Sequence, residues 1–325
     1  MKKNNKKFNG GSLRNNGRRN GGRIRGIKGG AKRRGKSGID SIKISNINTT
    51  VQPHQLEGVY IIKSDKEYLS TKNIYPGESI YGEEIITIEE KKENKENKEN
   101  KDSDSENSSE SIMPIFKNNS NNNNNNNDNE NNDIKKVEYR IWDAFFSKLG
   151  ASIENGINNI FIKPGSKVLF LGAGSDSYST ISHISDIVGK KGIIYSVEIS
   201  EIKGLDLKNM AKKRDNIIPI IYDARNPYNY KNSISNLVDC ILADISVPDI
   251  TNIISINSGF FLKNKGGFIC IINDESKTGK FDEQIKLLRE NNLLVKEFIS
   301  LEPFKKGSAA VAGLYKPYRE MIYEE

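Results

Sequence analysis

The second half of this chain predicts an α/β fold, a mostly parallel sheet covered by helices on both faces. Three observations predict it. Aliphatic and β-branched runs recur after residue 137, helix-period patterns separate them, and the first run ends in a glycine turn that opens a helix. In sheets wound this way ligands lie at the carboxyl ends of the strands, so functional residues are expected just past strand ends.

The segments follow in order. Residues 1–38 hold 14 Lys/Arg, 10 Gly and no acidic residue, which leaves 36 basic against 42 acidic residues in 39–325. The formal net charge of +8 therefore hides a strongly cationic tail on a mildly acidic body. With almost nothing to bury, the tail cannot offset its ordering entropy and is expected to be disordered. Residues 39–90 carry β-branched and aromatic runs at 59–62 and 85–89 around the turn signal Pro76-Gly77, which predicts a small β-rich subdomain. Residues 91–136 lapse into KEN triplets, a Ser/Asp/Glu stretch and an Asn tract, the composition of a solvated insertion. The compact α/β domain is placed at 137–325. Its strands are expected at 167–171, 193–198, 217–222, 237–243, 267–272, 294–300 and 309–316. Helices are expected at 179–188, where Ile181, Ile184 and Val188 share a face, and at 280–291 through Phe281, Ile285 and Leu288.

Composition also excludes. No run approaches the ~18 apolar residues of a membrane span, and the first residues hold no apolar signal core, so neither a membrane nor a secreted protein is expected. Cys240 and Cys270 are too few for a disulfide framework or an all-cysteine zinc site; they point to a reducing compartment and to buried thiols inside strands. His54 and His183 are the only histidines, so no metal site is expected, and His183 reads as a satisfied helix residue. Trp142 and Phe145 read as a packing edge, and Lys305-Lys306 as a solvated turn. The tail reads either as an RNA-contacting arm, its cations releasing counterions from phosphates, or as a targeting or solubility segment.

The chemistry concentrates at strand ends. The strand 167–171 runs into Gly172-Ala173-Gly174-Ser175-Asp176-Ser177, a turn that lets backbone approach a ligand and aims free N–H groups at it. Glu198, Asp223 and Asp244 follow the next three strands. A carboxylate after the second strand suits a ribose diol, and the set suits a nucleoside-bearing cofactor. The same residues equally suit ordinary turn glycines and helix-capping aspartates.

Several segments, in one order, resemble fibrillarins: TKNIYPGESIYGE at 71–83, EYRIWDAFFSKLG at 138–150, IKPGSKVLFLGA at 162–173, SHISDIVG at 182–189, AKKRDNIIPIIYDARNP at 211–227, LADISVPD at 242–249, LEPF at 301–304 and VAGLYKP at 311–317. A Gly/Arg-rich tail ahead of the body is similar too. The resemblance implies a Rossmann-like methyltransferase fold with a small N-terminal β-rich subdomain, and an RNA 2′-O-methyltransferase that uses S-adenosyl-L-methionine. It implies action on pre-rRNA in the nucleolus, inside box C/D particles whose guide snoRNA selects the ribose and whose scaffold and RNA-binding core proteins hold the enzyme. By position, Gly172, Ala173 and Ile199 would border the cofactor, Glu198 its ribose, and Asp223-Ala224 its adenine. Asp244 would sit at the methyl-transfer centre with Lys148 as its catalytic partner.

The family's Lys-Asp-Lys-His set is matched here only by Lys148 and Asp244. Asn273 stands for the second lysine and Ser308 for the histidine; the glycine turn is two residues longer, Val247 replaces a glutamine and Phe146 an arginine. Losing one positioned acid–base or oxyanion group commonly costs ~10²–10⁴-fold in rate. Two expectations therefore stand side by side: an active methyltransferase, in which Lys277 restores the missing charge, or an impaired paralogue that serves the particle as a structural RNA-binding subunit.

Overall fold

The computed structural model describes residues 49–91, 134–273 and 280–317, all within one compact unit, Asp40–Glu325. The cationic tail, Lys277 and almost all of the expected insertion lie outside the described residues.

The first sheet is antiparallel throughout. It comprises β1 (Thr50–Pro53), β2 (Val59–Lys63), β3 (Glu67–Lys72), β4 (Ile85–Lys91) and β5 (Ile134–Ile141), in the order β1-β2-β3-β5-β4. Alternation along β2 sends Ile62 to one face, where it clusters with Ile86, Val137 and Tyr139, and Val59 to the other, where Leu69 and Leu56 join the main core. The boundary expected at residue 137 falls inside β5. That strand pairs with β4 from Ile85↔Arg140 to Lys91↔Ile134 and with β3 at Ser70↔Ile141, so the first sheet takes its second-last strand from beyond the low-complexity segment.

The second sheet has β6 (Lys167–Leu171), β7 (Ile193–Glu198), β8 (Ile217–Ile221), β9 (Val238–Ala243), β10 (Leu262–Asn273), β11 (Leu293–Ser300) and β12 (Ser308–Tyr315), in the order β11-β12-β10-β9-β6-β7-β8. Neighbours from β8 to β10 are parallel, and β12 runs antiparallel between β10 and β11. Each expected strand is present. β10 begins ahead of residue 267 because a register shift between Leu262 and Gly267 carries its polar Lys-Asn-Lys-Gly run alongside β9.

Helices α1 (Lys148–Glu154), α2 (Tyr178–Val188), α3 (Glu201–Lys213), α4 (Ile250–Phe261) and α5 (Lys280–Glu290), with 3-10 turns at Ser175–Ser177 and Pro227–Ser233, complete the element order among the described residues. One core cluster, with Val168, Phe170, Ile181 and Ile184, covers one face of the large sheet; Leu169, Leu171, Ile253, Ile254 and Leu288 fill the other. Cys240 and Cys270 are free buried thiols in β9 and β10, their pKa values raised by burial.

α2 lies between the two sheets, and every residue from Ser179 to Val188 is buried. A buried polar group without a partner costs roughly 1–3 kcal/mol, so polar side chains on this helix call for partners inside the protein. Ser179 Oγ has none, whereas Thr180, Ser182, His183, Ser185 and Asp186 are all met. His183 meets Thr71 through Nδ1 (2.7 Å) and Tyr81 through Nε2 (2.7 Å), and stacks on Trp142 at 4.8 Å. Burial, reinforced by Arg140 and Arg214, holds the His183 pKa well below its ordinary value. Asp186 accepts from Arg140 (2.6 Å), Arg214 (2.7 Å) and Thr71 (2.9 Å), and Arg140 also donates to Glu83 at 2.5 Å. Two cations and two anions thus balance in a site that water does not reach, tying β3 and β5 to α2 and to the end of α3.

Candidate active site

The tips of β6, β7, β8 and β9 meet along one edge of the large sheet around a cleft of about 310 Å³. Its walls carry Gly172, Gly174 and Ser177 after β6, Glu198 and Ile199 after β7, Tyr222, Asp223 and Ala224 after β8, and Asp244 and Ser246 after β9; Lys148 enters from α1.

Gly172 has a φ of 92°, and a Cβ there would lie 2.3 Å from the Asp244 carbonyl oxygen. Only glycine lets the β6 and β9 tips close to the point where Asp244 N–H donates to the Leu171 carbonyl at 2.9 Å. The sequence reading expected free N–H groups in this turn. Those of Gly172 and Ala173 instead both donate to the Val197 carbonyl at 3.0 Å, because the turn continues the sheet ladder toward β7. Ala173 is fully buried in the core and does not line the cleft. The Ser177 hydroxyl braces the turn, donating to the Gly172 carbonyl (3.1 Å) and, at 3.4 Å, to Asp244 Oδ2.

Lys148 Nζ donates to Asp244 Oδ1 at 2.5 Å, with 20% of the lysine side chain and 7% of the aspartate side chain exposed. The lysine is placed by its helix start: Ser147 caps α1 by accepting from Gly150 N–H (3.0 Å) and bonds Thr180 of α2 (2.8 Å). Glu198 is buried and accepts from Ser200 N–H through Oε1 (2.8 Å), while Oε2 borders the bare backbone of Gly174. Asp223 accepts from Arg225 N–H (2.9 Å), and Arg225 grips Asp249 with two bonds of 2.8 and 2.9 Å. Ile199 is 62% exposed and Tyr222 48%, so the mouth between Glu198 and Asp223 presents apolar surface beside carboxylates.

The structure brings Gly172, Glu198, Ile199, Asp223, Ala224, Asp244 and Lys148 together at one cleft, with Ala173 behind it. Ser177, Lys203, Tyr222 and Ser246 line the same cleft and were not among the expected residues. Lys203 stands in the first turn of α3 with Nζ against Gly174; its signal was its place five residues past Glu198. Asn273 and Ser308 lie opposite each other in β10 and β12, where Ser308 Oγ donates to Asn273 Oδ1 at 2.8 Å. Phe146 is away from the cleft, exposed and tilted against Tyr81. Phe145 is exposed as well and meets Phe304 edge-on, so the packing edge is Trp142 alone; Lys305 donates to the Phe145 carbonyl rather than only to solvent.

A doubly wound sheet with one antiparallel strand inserted before its edge, and acids at successive tips beside a glycine turn, defines a Rossmann-like methyltransferase fold. The chain belongs to the fibrillarin family, whose model matches residues 51–317. It is 39% identical over 279 residues to the rRNA 2′-O-methyltransferase fibrillarin of Rattus norvegicus, an overlap of 84% of this chain and 72% of that one. With rRNA 2′-O-methyltransferase fibrillarin 1 of Arabidopsis thaliana it shares 38% over 272 residues, 82% of this chain and 74% of the other. Among solved structures it is similar to Aeropyrum pernix fibrillarin with natively bound S-adenosyl-L-methionine, at a TM-score of 0.63 and 28% identity, covering 82% of this chain and all of that one.

Proposed function

We propose that this protein is an S-adenosyl-L-methionine-dependent rRNA 2′-O-methyltransferase, and that it works in the nucleolus within a box C/D particle, with guide snoRNA, pre-rRNA and the particle's core proteins as partners. The observation that carries the reading is the Lys148–Asp244 pair at the floor of a cleft rimmed by Glu198 and Asp223. The residues present fit the cofactor. The bare Gly174 backbone leaves space in front of Glu198, and Ile199 and Tyr222 offer apolar surface to a flat base beside a carboxylate that accepts from its amino or hydroxyl groups. Glu198 would hold the ribose diol, Ile199, Asp223 and Ala224 the adenine, and Gly172 the chain nearest the reacting end. S-adenosyl-L-methionine supplies an electrophilic methyl group when bound.

The protein's own task is to position a ribose hydroxyl and manage its proton. Asp244 Oδ1 is held by Lys148, which leaves Oδ2, with only the long Ser177 contact, to accept a proton from the incoming hydroxyl. The Lys148 ammonium stabilises the negative charge that develops on that oxygen in a site largely shielded from water. The cationic tail adds sequence-independent attraction to RNA phosphates. One observation favours the second reading, a structural RNA-binding subunit without methyl transfer: the neutral Asn273–Ser308 pair supplies no second cation. Methyl transfer by the full chain, assembled with the particle's core proteins and guide RNA, separates the two. Incorporation of methyl into the target ribose, lost by ~10²-fold or more in Asp244→Ala, supports the enzyme; equal background in both proteins overturns it.

A further inference from the structure

The two neutral residues that stand for a lysine and a histidine are not isolated replacements. Ser308 Oγ donates to Asn273 Oδ1 at 2.8 Å, and Asn273 Nδ2 donates to Ser246 Oγ at 3.2 Å. The direction of this chain is fixed by its middle member, since an amide presents an acceptor on one side and donors on the other. Ser246 therefore receives a hydrogen bond, and its own O–H has no acceptor among the described residues. It stands two residues beyond Asp244, exposed at the wall of the cleft that Asp244 and Lys148 floor. Asn273 is locked in place by the strand ladder, being the direct partner of Ser308 across β10 and β12.

We propose that Ser246 is the neutral hydrogen-bond donor to the target ribose oxygen, with Asn273 and Ser308 as positioning residues that turn its O–H into the cleft. The inference rests on the methyltransferase reading and deepens it: a relay of three uncharged side chains holds the substrate where a lysine and histidine are absent. A hydroxyl that already accepts from an amide is a better donor and has one preferred orientation, so the relay positions as well as donates.

The test uses the full chain assembled with the particle's core proteins, guide RNA and target RNA, with S-adenosylhomocysteine binding measured separately by calorimetry. Ser246→Ala lowers kcat roughly tenfold, the loss of one positioned hydrogen bond, while S-adenosylhomocysteine affinity stays within about twofold. Ser246→Thr keeps the hydroxyl and restores most of the rate. Asn273→Asp is the decisive variant: a carboxylate cannot donate, so both serine hydroxyls turn toward it and kcat falls as in Ser246→Ala although Ser246 is intact. If Asn273→Asp melts below the assay temperature, Ser308→Ala takes its place, with a several-fold fall in kcat expected. Wild-type kcat in Ser246→Ala, or in whichever relay variant is folded, overturns the proposal while leaving the methyltransferase reading untouched. A wild-type protein no more active than Asp244→Ala overturns both.

Discussion

Asp186→Asn tests whether the two sheets are held together by charge balance. Asp186 is fully buried and neutralises Arg140 and Arg214, both equally buried, while Glu83 answers Arg140 from the other side. Asparagine keeps the volume but leaves two guanidiniums facing one carboxylate, and turns an amide N–H₂ toward a guanidinium, which only donates. Removing one partner of a buried ion pair costs about 3–5 kcal/mol, because the remaining charge is stranded without water. Urea unfolding at neutral pH measures this as a drop in midpoint at unchanged slope. Adding Arg214→Met removes one stranded cation, so the double variant recovers part of the loss. A single-variant cost below about 1 kcal/mol refutes the reasoning, given the buried-pair range above. A double variant worse than the sum of its parts also refutes it.

Two further outcomes follow from the geometry. Gly172→Ala forces a side chain into a backbone angle of 92° and within 2.3 Å of the Asp244 carbonyl, so the β6 and β9 tips separate. Strain of about 1–2 kcal/mol should leave the protein folded by circular dichroism while S-adenosylhomocysteine binding by calorimetry falls more than tenfold; unchanged affinity contradicts the close approach. The second concerns pH. Burial holds the His183 pKa well below its ordinary 6.5, so the unfolded chain binds the proton first as pH falls. Its contribution to stability is whole above 6.5 and declines below it, by up to about 1.4 kcal/mol per pH unit. Urea midpoints between neutral pH and pH 5 read this slope, and a His183→Gln protein with the same slope rules His183 out as its source.

Much of the large sheet was legible because its strands are buried on both faces and read as continuous aliphatic runs, such as KVLFL in β6 and VDCILA in β9. The first sheet was harder. β3 reads EYLSTK and β5 IKKVEYRI, where charge and hydroxyls mask alternation, and β5 follows an Asn tract that argues against structure. The cleft was legible because strand-end acids follow a topological rule that needs no contacts. What escaped depends on three-dimensional pairing. Nothing in a linear reading says that Arg140 and Asp186, 46 positions apart, neutralise each other, or that the turn N–H groups of Gly172 and Ala173 are consumed by Val197. Nor does it say that Asn273 and Ser308 face each other across two strands and share a hydrogen bond, since each alone reads as an isolated replacement.

The pairing of Lys91 with Ile134 has an evolutionary corollary. The whole low-complexity stretch joins two points that are already neighbours, as a two-residue hairpin turn would, so its length is nearly decoupled from the architecture. Closing such a link costs only as the logarithm of its length: a tenfold shortening changes the balance by about 2 kcal/mol. Residues gained or lost at this seam therefore leave the pairing of β4 with β5, and the sheet built on it, where they are.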